Sequence, residues 1–85
     1  MIPALRQQIE FYAERYAMMI HQGIEATPTG DERFGRLLGL CYAYRELVHP
    51  DARAVRGMAF TEVEAAQVRL GYIDEEGNAV EEVAQ

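Results

Sequence analysis

The sequence predicts an all-α fold: an antiparallel helical hairpin followed by shorter helices. Three observations carry that expectation. Two long stretches hold apolar side chains at helical spacing. Proline and glycine punctuate their ends. Threonine and glutamate stand three residues apart where two of the helices would begin, the spacing of a capping box.

The first helix is expected over residues 3–26. Pro3 suits a first turn, where its missing N–H costs nothing. Leu5, Ile9, Tyr12, Tyr16, Met19, Ile20 and Gly23 form the stripe, with Ala13 and Ala17 beside it. Gly23 weakens the last turn, and Thr27-Pro28-Thr29-Gly30 reads as a loop. The second helix is expected over 30–48, capped by Thr29 with Glu32. Its apolar positions are Phe34, Leu37, Leu38, Cys41, Tyr44, Leu47 and Val48. Gly35, Gly39 and Ala43 share a different face, and each glycine costs a helix about 1 kcal/mol against alanine. That cost points to a close backbone approach there. A helix apolar or small on nearly every side is buried on more than one side.

Pro50 ends the second helix near Val48 and opens a short helix over 50–56, with Gly57 past its end. A further helix is expected over 61–70, with Thr61 and Glu64 as a second capping box and Gly71 as a left-handed cap. Over 72–80 a short β-hairpin is expected around a turn from Asp74 to Gly77. The alternative for residues 72–85 is an extended, flexible acidic tail.

The length of 85 residues fits one small domain over 1–85. Apolar residues at 49% and charged residues at 26% indicate a folding chain rather than a disordered one. A domain this small buries only about 60% of its unfolded surface. Two amphipathic helices, one needing cover on two faces, close a core poorly. A helical-bundle homodimer is therefore expected, with Gly35, Gly39 and Ala43 at the interface.

No apolar run is long enough to span a membrane, and the N-terminus lacks the pattern of a signal peptide. With one cysteine there is no internal disulfide framework and no cysteine-based zinc site. A cytoplasmic location is the expectation. The chain has no Lys, Ser or Trp, so it offers neither a serine nucleophile nor a Schiff-base lysine.

The net charge of −6 is unevenly placed. Through residue 60, seven arginines balance seven acids. From 61 onward one arginine faces seven acids, so all of the excess lies there. Such a balance suits a basic protein partner better than DNA, whose phosphates call for Lys and Arg.

Several residue groups were weighed for chemistry. Cys41 lies in an apolar stripe and reads as a small buried hydrophobe, not a thiolate nucleophile. Glu46 and His49 match half of a di-iron motif, for which Glu10, Glu14 or Glu25 could add carboxylates. Glu46 falls well off the apolar stripe, so it reads as a surface residue. His21 and Glu25 supply two ligands at most, which do not make a metal site. No catalytic residue, metal or cofactor is expected.

Arg45, His49, Arg53 and Arg56 cluster around Pro50 and form the candidate anion site. Residues 51–71 have the element order of a helix-turn-helix with a wing, but its reading helix and wing tip carry acids that repel phosphate. Phe11 and Met18 stand seven apart on the first helix, away from its main stripe, with Gln7, Arg15 and Gln22 beside them. Aromatic, methionine and arginine with few other charges is the make-up of an interface core.

The functional expectation is a non-enzymatic protein-interaction module, an accessory regulator or inhibitor that occludes a larger partner. Its candidate contacts are Phe11, Arg15, Met18, Gln22, Asp74, Glu75 and Glu76. The alternatives are a small-ligand or nucleotide site at an oligomer interface, built on the Arg45/Arg53/Arg56 cluster, and a helix-turn-helix-like nucleic-acid binder.

Overall fold

The computed structural model describes residues 1–48 and 54–80. It contains three helices, α1 (Ile2–Gln22), α2 (Pro28–Val48) and α3 (Val55–Arg69), and each packs on the other two. The fold is all-α.

Helix α1 ends earlier than its apolar stripe suggests. Gly23 takes a left-handed conformation, φ 73°, which only glycine adopts without cost. Its N–H donates to the Ile20 carbonyl at 3.0 Å, and the Ile24 N–H donates to that of Met19 at 2.9 Å. Those two bonds form a Schellman cap. Gly23 therefore stops the helix rather than weakening it, and residues 24–26 lie outside.

Helix α2 starts two residues before its expected beginning. Thr27 is the cap, accepting the Gly30 N–H at 3.1 Å on its hydroxyl oxygen. The same hydroxyl donates to the Ile24 carbonyl at 2.8 Å. Pro28 then occupies the first helical position, where a missing N–H is harmless. Thr29 with Glu32 is thus not the capping pair, because both lie inside the helix.

Helix α3 absorbs two elements that the sequence separates. It begins at Val55 and runs through Gly57 without a break. Residues 50–53 of the expected short helix lie outside the described residues. Gly57 and Thr61 mark no boundary. The Thr61 hydroxyl donates to the Gly57 carbonyl one turn back at 2.9 Å, a mid-helix habit of threonine. The helix-turn-helix outline falls with this, since its turn is helical. Gly71, φ 79°, follows the helix as expected. It donates to Val68, and Tyr72 donates to Gln67, in a second Schellman arrangement.

Over 72–80 the expected hairpin is not shown as a pair of strands, although the Asp74 N–H donates to the Asn78 carbonyl at 2.8 Å and the Val80 N–H to the Tyr72 carbonyl at 3.1 Å. One isolated antiparallel bridge joins Ile73 to Ala79, and no strand occurs among the described residues. The turn itself is present. The Gly77 N–H donates to the Asp74 carbonyl at 3.0 Å, with Gly77 at φ 89°. The Asp74 carboxylate accepts the N–H groups of Glu76 and Asn78, both at 2.9 Å. The side chain closes the turn without help from a sheet.

The core is narrow. Ile9, Ala13, Ala17, Phe34, Leu37, Cys41, Ala59, Val63 and Ala66 form one buried cluster drawn from all three helices. Leu5, Tyr12, Tyr16, Ile20, Leu38 and Tyr44 pack against it from the margins. Arg6 closes one end. Its guanidinium grips Glu62 of α3 with a fork of 2.8 and 3.2 Å and lies 5.3 Å from the Tyr44 ring centroid of α2. Further along, Arg69 of α3 meets Glu14 of α1 at 3.0 Å.

Of the glycines in α2, the one that the packing requires is Gly30. A Cβ there would overlap the Glu25 carbonyl. Gly35 and Gly39 are open, with nothing near a Cβ added at either. Among the described residues no other backbone of this chain approaches them. Gly30→Ala should lower stability by roughly 1–3 kcal/mol through overpacking. Gly35→Ala should raise it by up to about 1 kcal/mol through helix propensity. Urea titrations of the three proteins check both signs. Equal effects at the two positions would show that the Glu25 carbonyl does not crowd Gly30.

Candidate functional site

The core face of α1 runs through Ile9, Ala13 and Ala17. At about 100° per residue, Phe11 and Met18 must point away from it. They are 53% and 37% exposed, and neither belongs to the core cluster. Tyr12, next along the helix, is half-buried in the core margin and holds the Phe11 ring edge-on at 5.2 Å. Arg15, one turn on, lies 5.4 Å from the centroid of the same ring.

This outer face of α1 carries a run of three depressions that share lining residues, and α2 walls two of them. The largest, about 520 Å³, is lined by Arg15, Met18, Met19, Gln22, Ile24 and Arg33 among others. The next, about 300 Å³, shares Arg15 and Arg33 with it and adds Phe11, Tyr12, Glu32 and Arg36. The third, about 390 Å³, shares Phe11 and Tyr12 and extends to Gln7 and Gln8. Together they make one groove along α1. Its apolar surface comes from Phe11, Met18, Met19 and Ile24, the last 43% exposed.

The groove is positive. Arg15 and Arg33 have no acidic side chain within ion-pair distance among the described residues. Arg36 meets Glu32 at 3.7 Å, but both are largely exposed, and such pairs are worth little. Three arginines thus face one glutamate.

The structure brings Phe11, Arg15, Met18 and Gln22 together as the sequence anticipates. It does not bring Asp74, Glu75 and Glu76 to them, since none of the three lines the groove. The acidic turn follows Tyr72, whose ring stacks flat on His21 at 3.8 Å. Arg33, Arg36 and Ile24 belong to the groove and are missed from sequence. Arg33 and Arg36 are spaced to share a helix side, but which side faces α1 depends on the packing of two helices.

The other groups scatter. In the anion cluster, Arg45 pairs with Glu46 at 3.4 Å and lies 5.2 Å from the Tyr42 ring. Arg56 lies 5.6 Å from both the Phe34 and Phe60 rings. His49 and Arg53 lie outside the described residues. Of the extra carboxylates considered for a di-iron site, Glu10 is paired with Arg6 and Glu14 with Arg69. Among the described residues no three His, Cys, Asp or Glu side chains converge. The spacing of His21 and Glu25 has no helical meaning, because α1 ends between them at Gly23. No helix among the described residues is long and apolar enough to cross a membrane.

Cys41 is buried in the core cluster. Burial pushes its thiol up to about 11, Glu62 adds to that, and Arg6 opposes it. The Tyr16 phenol is raised too, first by burial and then by Glu25 and Asp31, against Arg56. No protein-family model matches the chain, and no curated protein or solved structure does either.

The thiol keeps its proton longer in the folded chain than in the unfolded one. Its contribution to stability is full below the ordinary value of 9.0 and is lost as pH rises through about 11. Denaturant midpoints measured across that window should fall. Cys41→Ala should lower stability overall yet flatten part of the decline. An aromatic disulfide reagent at neutral pH should label Cys41 only on unfolding, and rapid labelling of the native protein would contradict its burial.

Proposed function

We propose that the protein is a non-catalytic interaction module that binds another protein through the α1–α2 groove. One observation carries this reading: Phe11, Met18 and Ile24 stay exposed along a recess rimmed by Arg15 and Arg33, neither of which meets an acidic side chain among the described residues. Burying them would release apolar surface from water at about 25 cal/mol per Å². Rigid aromatic, methionine and arginine groups are the side chains that anchor interfaces. The protein then acts as an accessory regulator or inhibitor, covering a segment of its partner while the groove is filled.

The expected homodimer stands as a separate proposal with less support. It followed from two helices being unable to close a core, and α3 supplies a third wall through Ala59, Val63 and Ala66. What favours it is the face of α2 at Gly35 and Gly39, which is exposed and offers room for a second backbone.

A photo-crosslinking amino acid placed at Met18 of the full chain should give one discrete protein adduct in lysate of its native cells. The same label at Gly39 should not give that adduct. Phe11→Ala and Arg33→Glu should abolish it while leaving the circular dichroism and melting curve unchanged, because both side chains lie outside the core cluster. An adduct indifferent to both substitutions would place the binding surface elsewhere.

A further inference from the structure

We infer that the groove receives one amphipathic α-helix from its partner, with an apolar stripe flanked by aspartate or glutamate. This rests on the interaction reading above and names the chemistry of the partner.

The shape selects a helix. The groove follows α1 from Gln8 to Gln22, about 21 Å or the rise of roughly four helical turns, and α2 walls it along the part that holds Arg33 and Arg36. Strand addition needs a sheet edge, and the described residues contain no strand. A helix laid between two others also converts three packed helices into a four-helix arrangement, the usual way to bury such a face. Phe11 and Met18, seven residues apart, are spaced to meet a stripe repeating at the same interval.

The charge selects acidic flanks. Arg15 and Arg33 stand along the groove, Arg36 joins them, and among the described residues Glu32 is the single acid lining it. The planar guanidinium pairs well with carboxylate. A second copy docking by the same face would set three arginines against three, and like-charge juxtaposition disfavours that pairing. A basic helix is disfavoured for the same reason.

The test uses the full chain and two synthetic helices of roughly 16 residues, about four turns each. Both carry leucine at the i, i+3, i+4 and i+7 positions. One has glutamate on the flanks and the other has lysine. Fluorescence anisotropy should show the acidic helix binding at least about tenfold more tightly than the basic one. Met18→Ala and Arg33→Glu should each weaken it by about tenfold. Tyr42→Ala, exposed and outside the groove, should leave it unchanged. Equal binding of the two helices, binding of neither, or binding indifferent to Met18 and Arg33 overturns the inference. So does self-association lost both on deleting 72–85 and on Arg33→Glu, which would make the acidic end of another copy the occupant. A Met18 crosslink that persists while the acidic helix fails leaves the interaction reading standing and removes this one.

Discussion

The fold depends on a seam of alanines where the three helices meet. Ala13 and Ala17 of α1 and Ala59 and Ala66 of α3 are wholly buried, and the largest fully buried side chains are only Ile9, Leu37 and Cys41. Small residues let helix axes draw close, since axial separation follows the side chains at the contact. Closeness has a consequence for everything larger. Tyr12, Tyr16, Ile20, Leu38 and Tyr44 cannot enter the seam and pack along its margins, half-buried. Tyrosine suits such a position because its ring can be covered while its hydroxyl stays wet. Phe11 and Met18 lie further round α1 and stay partly exposed. The exposed groove is therefore a product of how the seam is built.

A thin core also shifts work to its edges. Arg6 reaches both other helices at once, gripping Glu62 and resting on Tyr44. Hydrogen bonding to Glu62 raises its pKa further, with burial acting the other way, so it stays charged at any ordinary pH. The aliphatic stem covers apolar surface while the fork fixes α3 against α1. Arg69 with Glu14 repeats the contact nearer the other end. The ion pairs to α3 thus use Arg6 and Glu14 of α1, while Arg15, next to Glu14, lines the groove with α2 and meets no acid among the described residues. Helical pitch alone separates the two roles.

What the sequence revealed follows the range of the interaction involved. The three helical regions were legible because an apolar stripe repeats within each. The exposure of Phe11 and Met18 was legible for the same reason, since seven residues return to the same side of a helix. Boundaries were harder where two local signals competed. Thr29 with Glu32 looks like a capping box, yet Thr27 precedes a proline that can only begin a helix, and Thr27 caps. Gly57 and Thr61 look like an end and a start, yet the packing of Ala59 and Val63 in the core holds the helix through both. The turn at Asp74 was legible because its hydrogen bonds are local. Around it the pairing extends to one bridge and two backbone hydrogen bonds, short of a pair of strands. Arg33 and Arg36 were out of reach because their place in the groove depends on the register between α1 and α2, which no single-helix pattern contains.

Net charge misleads for a related reason. The chain is acidic as a whole, which taken alone argues for a basic partner. Yet at physiological ionic strength a charge is felt over about 8 Å. Among the described residues the charges that line the groove, three arginines to one glutamate, run opposite to the total. Glu14 is paired with Arg69, and Glu10 shares Arg6 with Glu62. On the proposed reading, the two scales of charge act in opposition. The acidic chain repels acidic molecules at long range and holds back those with nothing to offer the apolar wall. Only a segment that joins carboxylates to an apolar stripe recovers, at contact, what approach costs. That opposition gives a small surface selectivity that its few contacts would not supply alone.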